Sequence, residues 1–141
     1  MNGIEEIVHT FPWYIKYFAN QVLKKEGIPV LLSPTPEFSF VDGKIPETNK
    51  YQEYMKTISE ELNILYIDHY SYIANNMESV GEDSIKDSKW FPIDNIHTSQ
   101  EAAESNAKMI INGIKCLNNE GLISILNEQE KNANYPCLNK E

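Results

Sequence analysis

Gly27-Ile28-Pro29-Val30-Leu31-Leu32-Ser33 decides how this chain is read. Ile28 to Ser33 is an apolar run of strand length, bounded by Gly27 on one side and by Pro34 and Pro36 on the other. An unbroken run, rather than an alternating one, suits a strand of a parallel sheet buried on both faces. Upstream, Phe11, Tyr14, Ile15, Phe18, Ala19, Val22 and Leu23 recur at helical spacing and make a stripe wide enough to face a core. Thr10 stands as N-cap, with Pro12 just inside, where its missing N–H costs nothing. Lys24, Lys25 and Gly27 close the helix with cations at its negative pole and a residue that tolerates positive φ. The rings of the stripe could form a ligand platform, but helical spacing favours core. Helix, tight turn, buried strand is the pattern of an α/β protein.

The pattern repeats downstream. Thr48 or Asn49 caps a second helix with Tyr51, Tyr54, Met55, Ile58 and Leu62 on its dry side, and Asn63 stops it. Ile64-Leu65-Tyr66-Ile67-Asp68 is the second buried-strand candidate. Between the two strands, the Pro-punctuated stretch from Pro34 to Pro46 leaves the C-terminal end of the first. Such loops carry binding residues in α/β sheets, so it reads either as a wall of a substrate cleft or as a surface loop with an Asp42-Gly43 turn. Asp68 and His69 are adjacent, and adjacent residues of a strand point to opposite faces. Asp68 is therefore expected to cap a helix from Tyr70 to about Met77 rather than to orient His69. His9 has nothing nearby to orient it. Residues 79–89 are polar and read as a surface loop. A long helix from about Ser99 to Leu117 follows, with Ala103, Ala107, Ile110, Ile111, Ile114 and Leu117 on one face. Residues 118–141 form a tail of the same domain as 1–117, and its apolar island Leu122 to Leu126 should pack back as a short helix or strand.

Composition bounds the function. The chain has 141 residues, enough for one domain with a core, and 41% of them are hydrophobic. The net charge of −9 disfavours nucleic acid and anionic membrane as partners, which need clustered cations. All the basic residues are lysines, so bidentate guanidinium clamps are unavailable. No apolar run reaches the ~18 residues of a membrane span. Met1 to Glu6 carry neither a positive n-region nor an apolar h-region and do not read as a signal peptide. Nothing points to a cofactor, and Cys116 and Cys137 are too few for a zinc site.

The chemistry sits in Trp90-Phe91-Pro92-Ile93-Asp94-Asn95-Ile96-His97-Thr98-Ser99. Asp94 and His97 are three residues apart in a loop-like segment, and Thr98-Ser99-Gln100-Glu101 reads as a capping box opening the long helix. A His acting as a base near neutral pH needs its tautomer fixed and its cation stabilised, and a carboxylate on the other ring nitrogen does both. Spacing alone leaves a second reading open, an Asx-turn at Asp94 beside a solvated His97.

This block resembles the Asp-x-x-His block of the SGNH (GDSL-type) hydrolases, and among them the rhamnogalacturonan acetylesterases, which have a similar Phe-Pro-Ile-Asp run. The likeness extends from about Gly3 to Cys137 through Thr10-Phe11-Pro12, Pro29–Pro36, Asp68-His69 and the C-terminal cysteine. It implies a three-layer α/β/α flavodoxin-like fold with a parallel sheet, of which this chain is the C-terminal portion with the N-terminal strands missing. It implies a carboxylic ester hydrolase, extracellular as a full-length parent, that deacetylates rhamnogalacturonan or a related polysaccharide. Asp94 would orient His97, and His97 would relay a proton between a serine and the leaving sugar oxygen. It also implies a Cys116–Cys137 disulfide; the residues alone fit two inert thiols equally well.

Three of the family's blocks have no counterpart: the Gly-Asp-Ser nucleophile and the Gly and Asn of the oxyanion hole. Gly81-Glu82-Asp83-Ser84 has an inserted Glu82 and no buried strand before it. Ile96 stands where relatives commonly have Thr. The expectation is a C-terminal piece, inactive alone and marginally stable, whose open sheet edge is completed by the N-terminal half of the fold. Two alternatives remain, a non-catalytic carbohydrate-binding or interaction remnant, and another SGNH esterase or lipase.

Overall fold

Pro12 sits in the first turn of α1 (Phe11–Lys24), where a lost N–H leaves no bond unmade. In the computed structural model, which describes residues 7–134 and 136–138, this helix opens an alternation of helix and strand. β1 (Val30–Leu32) follows, then α2 (Lys50–Leu62), β2 (Leu65–Ile67), α3 (His69–Val80), α4 (Glu82–Asp87) and α5 (Gln100–Cys116), and finally α6 (Glu120–Ser124) and α7 (Glu128–Asn132). Met1 to Glu6, which do not read as a signal peptide, lie outside the described residues. Residues 7–10 are irregular.

β1 and β2 pair in parallel, Val30 opposite Leu65 and Leu32 opposite Ile67, and Ser33 N–H extends the ladder to Ile67 O at 3.2 Å. The protein is a mixed α/β chain whose described sheet has two strands. α2, the crossover between them, packs on both strands, while α1 packs on α2. α2 opens on a capping box: Asn49 Oδ1 accepts from the Tyr51 and Gln52 N–H groups, and Gln52 Oε1 accepts from Asn49 N–H. It ends as expected on left-handed Asn63 (φ 50°).

The structure corrects the sequence at several places. The left-handed residue after α1 is Glu26 (φ 60°), not Gly27. Gly27 is needed for a different reason: its N–H reaches back to Val22 O, and a Cβ there would lie 2.8 Å from Val22 Cγ1. The α1 stripe expected to be core is largely open. Only Ala19 is buried, while Phe18 is 61% exposed. β1, expected to be buried on both faces, is half-buried throughout. Both corrections have one cause: nothing described pairs with β1 on its side away from β2.

Residues 79–89 are not a loop. α3 runs on to Val80, Gly81 turns at φ 89°, and α4 follows, held by buried Ile85 and by a Lys86–Glu82 pair one turn apart. α5 buries Ala102, Asn112 and Gly113, whereas Ala103 and Ala107 of the expected face are exposed. The tail island becomes α6, with Ile125 left exposed.

Ile58 of α2 and Ile67 of β2 are buried at the sheet, but the main buried cluster lies off it. Ile45, Tyr70, Ile73, Ala74, Met77, Ile85, Trp90 and Ala102 form one buried cluster between α3, α4 and the start of α5. Cys116 and Cys137 form a disulfide, Cα atoms 5.7 Å apart, as the family likeness implied. Asn112 Nδ2 donates to Pro136 O, and Lys115 Nζ donates to Glu130 O and Ala133 O, so side chains of α5 hold the tail beside the disulfide as well.

Candidate functional site

The segment from Trp90 to Ser99 is a loop pinned at both ends by that cluster. Trp90 is buried, its indole N–H donates to Glu101 Oε1 at 3.2 Å, and its carbonyl accepts from Ser99 N–H at 2.7 Å. Ser99 then caps α5 by accepting from Ala102 N–H. The expected Thr98–Glu101 capping box does not form: Ser99 is the N-cap, Ala102 at the third helical position has no side chain to reach back, and Glu101 serves the indole instead. A second tether comes from the Pro34–Pro46 loop, where Phe38 N–H donates to Asn95 O at 2.8 Å. The Phe38 and Phe91 rings stack at 5.4 Å between centroids. That loop is itself held to α3, with Ile45 N–H on Glu78 Oε1 and Tyr70 Oη on Pro46 O. Its Asp42-Gly43 turn is present, both residues at positive φ.

Within the loop, Asp94 uses both oxygens. Oδ1 accepts from Ile96 N–H at 2.8 Å and His97 N–H at 2.7 Å, an Asx-turn. Oδ2 lies 2.7 Å from His97 Nδ1. The two readings left open by the spacing are thus both present: the turn that fixes the carboxylate is what aims it at the imidazole. His97 N–H first, then the His97 ring and Ile96 N–H, hold the Asp94 carboxyl down from the usual 3.8 to about 2. With Nδ1 engaged, Nε2 is the free ring nitrogen, and the His97 side chain is 72% exposed. Exposed Ile93 and Ile96 flank the pair.

The other histidines are elsewhere. Asp68 caps α3, accepting from Ser71 N–H, and also holds Ser33 Oγ and Gln52 Nε2. His69 is buried, its Nε2 3.4 Å from Thr35 Oγ1 and its Nδ1 without a partner, and burial lowers its pKa. Asp68 and His69 make no side-chain bond to each other, in keeping with their expected placement. His9 stacks on Trp13 at 3.6 Å.

Two of the hollows among the described residues bear on the site. The larger, about 960 Å³, lies over Tyr66, Asp68 and Ser71 and includes neither Asp94 nor His97. The smaller, about 310 Å³, has Phe38, Ile85, Phe91 and Pro92 as walls and Lys86 and Lys89 beside them. The smaller does not include Asp94 or His97 either, but it adjoins their loop, to which Phe91 and Pro92 belong and to which Phe38 is tethered at Asn95. Phe38 has no role in the sequence reading, and Glu101 reads there as part of the helix start, not as the partner of the Trp90 indole. Their partners lie 57 and 11 residues away along the chain, a separation that no short motif encodes.

No protein-family model matches the chain. Among curated proteins, the rhamnogalacturonan acetylesterase of Emericella nidulans is 29% identical to it over 116 residues, 82% of this chain and 46% of that protein. The likeness is distant, and the chain spans about half the length of the curated relative it matches.

Proposed function

We propose that this chain carries the acid–base half of a carbohydrate-ester hydrolase of SGNH type, acting on acetyl groups of rhamnogalacturonan or a related polysaccharide. The single observation that carries the reading is the 2.7 Å approach of Asp94 Oδ2 to His97 Nδ1, with the rest of the ring open to solvent. The partial likeness to a rhamnogalacturonan acetylesterase supports the substrate class. In this reading the fold belongs to a three-layer flavodoxin-like sheet of which β1 and β2 are two strands.

The chemistry follows from the free nitrogen. His97 Nε2 takes the proton of a serine hydroxyl as the serine oxygen attacks the acetyl carbonyl, and Asp94 stabilises the imidazolium that forms. The same proton then goes to the departing sugar oxygen. Water, deprotonated by His97, then attacks the acyl carbonyl; the bond to the serine oxygen breaks, that oxygen takes the proton back from His97, and acetate is released. The serine and the oxyanion donors come from outside these 141 residues, which contain no Gly-Asp-Ser. An oxyanion donor alone is worth about 10²–10³ in rate, so the chain without them is expected to be inert. The Cys116–Cys137 bond fits an oxidising, extracellular setting for the whole protein.

Two measurements check this. The chain alone should hydrolyse p-nitrophenyl acetate no faster than an equal concentration of free imidazole. Joined to the part of the Emericella nidulans relative outside the aligned region, it should release acetate from acetylated rhamnogalacturonan, and His97→Ala should abolish that release. Turnover unaffected by His97→Ala would remove the reading.

A further inference from the structure

The smaller hollow differs from its surroundings in charge. The chain carries a net charge of −9, and the larger hollow shares that sign: Glu47, Glu53, Asp68 and Glu78 line it against Lys44 and Lys56. The smaller one has two lysines, Lys86 and Lys89, and no carboxylate among its lining residues. Those lysines are not equivalent. Lys86 Nζ is held at 2.7 Å by Glu82 Oε1, one turn earlier on α4. Lys89 is exposed and enters no ion pair among the described residues. Asp83 and Asp87, the other acids of α4, are not part of the lining.

Backbone geometry fixes where the free cation sits. Lys89 is the left-handed residue (φ 54°) after α4, its N–H on Lys86 O at 3.2 Å. The next N–H, of Trp90, reaches Ile85 O at 3.3 Å, and the side chains of both Ile85 and Trp90 are buried in the core cluster. The turn is therefore anchored on each side of Lys89. The remaining walls are apolar: Ile85, Pro92, and the Phe38 and Phe91 rings with centroids 5.4 Å apart. An apolar wall with one uncompensated cation at its edge suits a ligand that is apolar on one face and anionic at one substituent. A uronate is such a ligand. Its ring C–H groups can lie on an aromatic or proline wall while its carboxylate stands at the ring edge. Six residues separate Phe91 from His97, and such a length of chain spans at most about 20 Å. One polysaccharide can therefore meet both.

We infer that Lys89, at the edge of the hollow walled by Phe38, Phe91 and Pro92, is a carboxylate-recognition subsite for a uronate unit of the polysaccharide whose acetyl group meets His97. The assignment deepens the function proposed above and rests on it for the acetyl ester, whereas binding of the uronate needs neither a serine nor oxyanion donors. It selects acidic acetylated polymers over neutral ones, a choice that the Asp94–His97 pair cannot make.

The test uses the full chain and two probes, an acetylated rhamnogalacturonan oligosaccharide and the same oligosaccharide with its carboxylates reduced to primary alcohols. Each is titrated into labelled chain at low salt while amide resonances are followed. The acidic probe should shift Phe38 and residues 86–91, and bind about threefold more tightly than the reduced one, the scale of an exposed ion pair. Raising salt to about 0.5 M should shrink the preference. Lys89→Glu should erase it with the circular dichroism unchanged, and Lys89→Arg should keep it. In the chain joined to the remainder of the Emericella nidulans relative, Lys89→Glu should raise KM for the acidic probe rather than lower kcat. His97→Ala should remove acetate release and leave the binding preference intact, so recognition and catalysis fail separately. Equal binding of the two probes, no binding of either, shifts confined to Gln52, Tyr66 and Ser71 of the larger hollow, or a preference that survives Lys89→Glu would each overturn the inference.

Discussion

Asp94 does its work inside one turn. Its carboxylate is fixed by the backbone of the residue it orients, so the pair needs no long-range precision, and that is why it was legible in the sequence. The consequence is a pH window. The folded carboxyl is depressed to about 2 from 3.8. A depressed carboxyl contributes its interaction above the unfolded value and loses it as pH falls through the folded one. The turn and the ring contact should therefore hold at pH 4 and come apart between about pH 4 and 2. Carbon-detected titration of the Asp94 carboxyl should give a midpoint near 2, and His97→Ala should move it upward. On the function proposed above, Asp94→Asn in the fusion to the remainder of the Emericella nidulans relative should cut acetate release by about 10⁴-fold, since an amide cannot hold the productive tautomer. What spacing did not reveal at this scale was reach. Trp90 to Glu101 and Phe38 to Asn95 join residues whose neighbourhood is set by packing.

Among the elements, helix and strand order followed from periodicity, but the side that meets protein did not. Periodicity places an apolar stripe on α1, yet it cannot say whether a sheet lies beneath it. On α5 the buried line runs through Ala102, which packs in the cluster with Tyr70, Ile73 and Met77, and through Asn112 and Gly113 at the other end, where the missing side chain of Gly113 lets the helix approach Ile67 of β2. α4 escaped notice because one buried Ile85 in a six-residue helix leaves no period to count. Gly113 gives the sharpest check on the α5 contact. A Cβ there would collide with Ile67 Cγ2 and touch Tyr72 Cε2 at 3.5 Å. Ile67 branches at Cβ within β2, so its methyl has little freedom to withdraw. Replacing Gly by Ala in a helix gains about 1 kcal/mol of propensity, whereas overpacking costs about 1–3 kcal/mol. Gly113→Ala should lower stability by up to about 2 kcal/mol in urea unfolding, with the slope unchanged. An increase in stability would mean that α5 does not sit on β2 as described.

At the scale of the molecule, packing is uneven. One side holds the cluster of Tyr70, Ile73, Met77, Ile85 and Trp90, from which the Asp94–His97 loop hangs; the other holds α1 and β1, half-covered. Regions with little buried apolar surface open at lower free energy than the global transition. The described structure should therefore loosen from α1 and β1 first, with the Asp94–His97 loop among the last parts to go. The two tryptophans report on the two sides, Trp13 at 41% exposure on α1 and Trp90 at 8% in the cluster. In Trp13→Phe, the fluorescence of Trp90 should change at higher urea than the helical circular dichroism signal begins to fall. Reduction should act on the second transition, because the Cys116–Cys137 bridge closes a 21-residue separation between α5 and the tail. Losing it releases about 3 kcal/mol of loop-closure entropy into the unfolded chain, so dithiothreitol should draw the Trp90 transition down toward the first. Coincident transitions in the oxidised chain would show instead that the open sheet and the closed cluster fold as one unit, and the loop would then depend on α1 as much as on its own core.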